Sequence, residues 1–127
     1  MTTENAEELH PDERVLLVEE DADLREAMAG WLEESGYNVS TAGNGAEALN
    51  LLRAGLVPCV ILLDLMMPKV NGWQFRDEQK KHAAWAEIPV VVVSAMANLK
   101  ERPIDAAAVV QKPVNLKVLT GLLDKHC

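Results

Sequence analysis

The sequence predicts an α/β domain: a doubly wound, five-stranded parallel sheet with helices on both faces. Two observations lead there. Short runs rich in Val, Ile and Leu, with no polar alternation, occupy residues 14–18, 59–63 and 90–93, and such runs are strands buried on both faces. Stretches of helical spacing separate the strand candidates, so strands and helices alternate along the chain. Each of these apolar runs also ends in polar residues: Glu19 and Glu20, Asp64, and Ser94.

The elements follow in order. Residues 14–18 form the first strand. Asp21 or Asp23 can cap the next helix, with Glu26 three residues beyond Asp23 as in a capping box. Leu24, Ala27, Met28, Trp31 and Leu32 recur at helical spacing as one buried face, and Gly36 ends the helix. Residues 37–42 alternate as a strand, Gly43, Asn44 and Gly45 turn the chain, and residues 46–53 form a short helix presenting Leu49 and Leu52. The strand before Asp64 is followed by Pro68 and the pair Asn71-Gly72, which mark a sharp loop. A helix is expected over residues 73–84, where Trp73 and Phe75, with Trp85 just beyond, read as packing residues and Lys80-Lys81 as an exposed face. Residues 90–93 and 107–110 are the last two strands. Asn115 can cap a closing helix whose Leu116, Leu119 and Leu123 share a face.

Length and composition set the bounds. A chain of 127 residues with 49% hydrophobic and 25% charged residues fits one globular domain. No apolar run approaches the roughly 20 residues that span a bilayer, and no signal-peptide pattern opens the chain, so a cytoplasmic protein without membrane partners is expected. The net charge of −8 is unevenly spread: the first thirteen residues hold five acids and no Lys or Arg. Residues 1–13 therefore read as an acidic, disordered leader and residues 14–127 as the domain. With no basic stripe or cluster of aromatics, nucleic acid is not an expected partner. Cys59 lies in the apolar strand and Cys127 is the last residue, which argues against a structural disulfide. His10, His82 and His126 are dispersed in polar surroundings and suggest no metal or phosphotransfer role.

Parallel strands bring their carboxyl ends to one edge, so Glu19, Glu20, Asp64, Ser94 and Lys112 can converge there. Three carboxylates together repel unless a cation joins them. Hard oxygen donors suit Mg²⁺, which accepts a few carboxylates and keeps its waters. A carboxylate nucleophile beside a metal, an ammonium and a hydroxyl is equipped to take up a phosphoryl group, whose oxygens those groups neutralise.

The acidic turn Glu19-Glu20-Asp21-Ala22-Asp23-Leu24-Arg25 after residues 15–18, Leu63-Asp64 with Pro68 and Gly72, Val93-Ser94-Ala95, and Lys112-Pro113 together resemble the receiver domain of two-component response regulators. The resemblance covers about residues 14–126. It implies a flavodoxin-like (βα)5 receiver fold and a Mg²⁺-dependent phosphoprotein of a phosphorelay, not an enzyme beyond self-phosphorylation and self-dephosphorylation. Position by position, it makes Asp64 the phosphoacceptor for a histidine kinase or phosphotransfer protein. Glu19, Glu20, Asp64 and the Met66 backbone carbonyl become the metal ligands. Ser94 becomes the hydroxyl that bonds the phosphoryl group, and Lys112 its cationic partner. The Lys112-Pro113 peptide is often cis in the family, and Gly72 matches a turn position where positive φ is plausible.

Three departures stand out. Glu20 occupies a position usually held by the shorter Asp. The 18 residues from Ser94 to Lys112 fall short of the family's spacing and contain Pro103, which costs about 3 kcal/mol inside a helix, so a shortened fourth helix or a loop is expected. Val109 stands where a switching Tyr or Phe is frequent. The chain stops after the closing helix, which leads to the expectation of a single-domain regulator that signals to an unknown downstream protein by contact. The alternative is a pseudo-receiver, a phosphorylation-independent interaction module. An aspartyl-phosphate hydrolase is disfavoured, because Met66 stands where its acid/base Asp is required, and no glycine-rich phosphate loop follows the first strand.

Overall fold

Five parallel strands lie in the order β2-β1-β3-β4-β5: β1 (Arg14–Val18), β2 (Asn38–Ala42), β3 (Val60–Asp64), β4 (Val90–Ser94) and β5 (Ala108–Gln111). This is the doubly wound parallel arrangement expected from the sequence. The computed structural model describes residues 14–67, 69–95 and 104–127. The expected acidic leader, and residues 96–103 of the expected fourth helix, lie outside those residues. Ile104 to Ala106 are irregular and lead into β5.

Two apolar layers sandwich the sheet. On one face, Val15, Leu17, Val60, Leu62, Val91, Val93 and Val110 pack against α1 (Ala22–Glu34) and the closing helix α5 (Leu116–His126) through Met28, Leu32, Leu119 and Leu123. On the other, Leu16, Val18, Ile61, Leu63, Val90 and Val92 pack against α2 (Gly45–Arg53), α3 (Gly72–Lys80) and the one-turn α4 (Ala83–Ala86). The alternation along each strand produces this split, since successive side chains point to opposite faces. Burial on both faces is why residues 15–18, 60–63 and 90–93 of β1, β3 and β4 are all apolar. Ala27, expected on the buried face of α1, is exposed, while Met28 and Leu32 carry the contact.

Capping fixes where the helices start. Asp21 accepts from the backbone N–H groups of Asp23 and Leu24, Asn44 from Glu47, and Asn115 from Lys117 and Val118. Asn71 and Gln74 form a reciprocal capping box at the start of α3.

Three expectations are corrected. The helix expected over residues 73–84 breaks after Lys80 and resumes for one turn as α4. Gly72 is needed for close approach rather than for a positive φ: a Cβ there would lie 2.7 Å from Leu65 Cα and 3.0 Å from the Asp64 carbonyl oxygen. The left-handed residues are instead Gly36, Gly55 and, among non-glycines of the described residues, Lys69 (φ 63°). Finally, Cys59 and Cys127 are joined in a disulfide, with their Cα atoms 5.3 Å apart across 68 positions of sequence. α5 runs antiparallel to the strands, so its end returns to the edge where β3 begins. Distance along the chain conceals that meeting.

Candidate functional site

The strand order reverses between β1 and β3, and a crevice opens beyond their carboxyl ends at such a point. Asp64 is the last residue of β3 and Glu19 the first beyond β1; they are 5% and 2% exposed. The Glu19 backbone N–H donates to the Ala42 carbonyl (3.0 Å), and Glu19 Oε2 accepts from the Asp21 N–H (3.1 Å). Asp64 Oδ1 accepts from the Met66 N–H at 3.3 Å.

Lys112 enters from the far side of the sheet. β5 pairs with β4 so that Ser94 faces Gln111, and the Lys112 N–H then donates to the Ser94 carbonyl at 2.9 Å. The lysine is therefore the first residue past the sheet, and its peptide with Pro113 is cis. Its Nζ lies 3.2 Å from Glu19 Oε1 and 3.7 Å from Asp64 Oδ1. Ser94 is wholly buried and sits one position beyond Val93, the register partner of Asp64. Together with Glu20, Met66 and Ala95, the Glu19, Asp64 and Lys112 side chains line an open cleft of about 380 Å³.

These contacts set the electrostatics. Burial first, and then the neighbouring Glu19 carboxylate, push the Asp64 carboxyl up to about 6, against the Lys112 ammonium and the Met66 N–H, which pull it down. One ammonium thus serves two buried carboxylates, and negative charge remains in excess.

That excess is what a divalent cation relieves. Mg²⁺ binds through one or two carboxylates and keeps several waters, so it needs no closed protein cage. Among the described residues no group of three His, Cys, Asp or Glu side chains is gathered into such a cage. The donor set is instead an open pair of buried carboxylates, with exposed Glu20 and the backbone of Met66 at the cleft wall. It is hard and oxygen-rich, and it fits Mg²⁺.

Residues 15–124 match the family described as the response regulator receiver domain. The chain belongs to that family. Response regulator Rre1 of Synechocystis sp. is 35% identical to the receiver over 89 residues, which are 69% of this chain and 38% of that protein. Protein Rrf1 of Nitratidesulfovibrio vulgaris is 30% identical over 112 residues, 88% of this chain and 80% of that protein. The crystal structure of response regulator protein TrrA from Thermotoga maritima, in complex with Mg²⁺–BeF, matches with a TM-score of 0.79 at 27% identity. That match covers 90% of the receiver and 98% of TrrA. The chain spans 36–44% of the length of the first curated relatives it matches. The receiver fold, a member of the two-component signalling family, is thus established for this chain.

Within the receiver, Glu19, Asp64 and Lys112 meet, as expected from the sequence, and Ser94 and Met66 adjoin them. Glu20 stands exposed at the mouth, its carbonyl turned toward Arg25. Arg25 has no part in the sequence-based expectations beyond membership of the motif. Its position four residues into the chain after Asp21, on the first turn of a helix that starts at the acidic loop, is the signal that could have marked it. Val109, on the outer face of β5 opposite the buried Val110, is 47% exposed.

Proposed function

We propose that this receiver accepts a phosphoryl group on Asp64 from a histidine kinase or phosphotransfer protein, with Mg²⁺, and signals by protein–protein contact. The observation that carries this reading is the ammonium of Lys112 set between Glu19 and Asp64 at the carboxyl edge of the sheet. In the reaction an Asp64 oxygen attacks phosphorus; a P–O bond forms while the P–N bond to the donor histidine breaks, and its electron pair stays with the imidazole. Lys112 neutralises a phosphoryl oxygen as charge spreads over it, and the Ser94 hydroxyl donates to another. Glu19, Glu20, Asp64 and the Met66 carbonyl would hold Mg²⁺, which supplies further positive charge to the phosphoryl oxygens.

In this reading the domain is a phosphoacceptor rather than an enzyme with an external substrate, and at most it phosphorylates and dephosphorylates itself. A kinase-fed relay of this kind operates in the cytoplasm. The structural statement that bears on it is narrower: among the described residues, no helix is long and apolar enough to cross a membrane.

Incubation with acetyl phosphate and Mg²⁺ is expected to add one phosphoryl group by intact mass, and Asp64→Asn to abolish it. Full labelling of the variant overturns the assignment. A wild-type chain that neither binds Mg²⁺ nor takes label is instead a phosphorylation-independent interaction module.

A further inference from the structure

We propose that Arg25 is a positioning residue for the metal site: it holds the acidic turn after β1 in the shape that presents Glu19 and Glu20 to a divalent cation. The inference rests on the Mg²⁺-dependent reading above. One guanidinium nitrogen, Nη1, donates to the Glu19 carbonyl at 2.7 Å and reaches the Glu20 carbonyl at 3.4 Å. The backbones of Glu19 and Glu20 are therefore held by one side chain from the first turn of α1.

The position of that guanidinium is itself built. A Cβ on Gly43 would lie 3.2 Å from Arg25 Nη1, so the glycine leaves the notch that the guanidinium fills. The Gly43 N–H donates to Glu47 Oε1 at 2.8 Å, which closes the other wall of the notch. The turn between β1 and α1 and the turn between β2 and α2 thus meet around one half-buried cation.

The other restraints on the acidic turn act elsewhere. The Glu19 N–H bond to Ala42 fixes the end of β1, and the Asp21 N–H bond to Glu19 Oε2 fixes one carboxylate oxygen. Arg25 contacts the carbonyls of Glu19 and Glu20, and no bond described for Glu20 other than this one restrains it. Glu20 has one methylene more than the Asp usual at its position. Its carboxylate therefore depends more on a fixed backbone to reach a shared ion. Among the described residues no hydrogen bond or ion pair joins Arg25 to Asp64 or Lys112, so its influence travels through the turn.

The test is the Mg²⁺ dissociation constant of the full chain, measured by titration calorimetry, for wild type, Arg25→Ala, Arg25→Gln and Arg25→Lys. Outer-shell support of this kind is worth about tenfold or more in metal affinity, so Arg25→Ala is expected to bind about tenfold more weakly. Arg25→Lys, which keeps the charge but not the fork, is expected to recover part of the loss. The labelling rate of Arg25→Ala with acetyl phosphate falls at limiting Mg²⁺ and returns to near wild type at saturating Mg²⁺. Melting in EDTA separates this from a fold defect, and Arg25→Gln supplies a milder variant if the alanine chain does not fold. A dissociation constant within about twofold of wild type in the folded variants overturns the proposal, as does a labelling defect that saturating Mg²⁺ leaves in place. If wild type itself shows no Mg²⁺ binding while the variants fold normally, the underlying function fails and the positioning role falls with it.

Discussion

Asp64 is ionised at neutral pH against its surroundings. Its folded-state pKa of about 6 exceeds the ordinary 3.8, so the folded chain holds this proton more tightly than the unfolded one. The resulting stability is fully present below pH 3.8 and is lost as pH rises through 6. Asp64→Asn, which removes the buried charge, is therefore expected to melt higher than wild type at pH 7.5 in EDTA, by an amount on the order of 1–3 kcal/mol. The difference shrinks as pH falls from 6 toward 4; calorimetric melts across that range check it, and a constant difference refutes the assignment. Gly72 tests local packing in the same way. With Leu65 Cα and the Asp64 carbonyl in the path of a side chain, Gly72→Ala is expected to cost about 1–3 kcal/mol in urea unfolding. Both residues were visible in the sequence, but for different reasons. Asp64 announces itself as a lone carboxylate ending an apolar run. The pair Asn71-Gly72 marks a turn in the sequence, while the close approach that requires the glycine exists only once the loop folds back on β3.

At the scale of elements, the break between α3 and α4 is the clearest departure from the sequence pattern. A continuous helix would carry Trp85 about 80° around the axis from Phe75. Interrupting it at Lys81 and His82 lets both rings reach the same core, Phe75 fully buried and Trp85 9% exposed. His82 stacks on Trp85 with centroids 4.1 Å apart. Gln79 makes the break tolerable. Its wholly buried side-chain amide donates to the Trp85 carbonyl (2.8 Å) and the Ile88 carbonyl (3.0 Å), while its oxygen accepts from Arg76 (2.9 Å). Gln79→Leu keeps the volume but takes the donor from the Ile88 carbonyl and the acceptor from Arg76, while the Trp85 carbonyl still accepts from the Ile88 N–H; it is expected to destabilise the domain by about 1–3 kcal/mol without changing Mg²⁺ affinity. An unfolding midpoint equal to wild type contradicts that. On the outer side, Arg76 Nε donates to the Asp105 carbonyl at 2.8 Å and Lys80 Nζ meets its carboxylate at 2.9 Å, which fastens the entry of β5 to α3. Helical periodicity gave no warning of these contacts, because a glutamine in a polar stretch looks like any solvated residue.

Over the whole molecule, topology brings the site together and the disulfide closes the opposite edge. The order β2-β1-β3-β4-β5 puts the ends of β1 and β3 side by side, with β4 and β5 delivering Ser94 and Lys112 to the same rim. At the other end, the Cys59–Cys127 bond ties α5 to the start of β3, and Tyr37 Oη donates to Asp124 near the same helix end. A cross-link enclosing so long a loop restrains the unfolded chain strongly, typically by about 2–4 kcal/mol. Cys127→Ser, or reduction of wild type, is expected to lower the urea midpoint accordingly, and reductant should leave the variant unchanged. Equal midpoints for oxidised and reduced wild type rule the effect out.

The amino-acid order alone determined the layers, the sequence of strands and helices, and the chemistry available at the strand ends, because burial on both faces and helical spacing leave local signatures. It also carried Asp64, Glu19 and Lys112 to one rim, since parallel strands must share an edge. Only the tertiary structure decided that Cys127 returns to Cys59, that Gln79 supports a broken helix, and that Arg25 grips two carbonyls from a notch left by Gly43. Those contacts join positions whose own neighbours in sequence are unremarkable, and their partners are chosen by how the packed elements face one another.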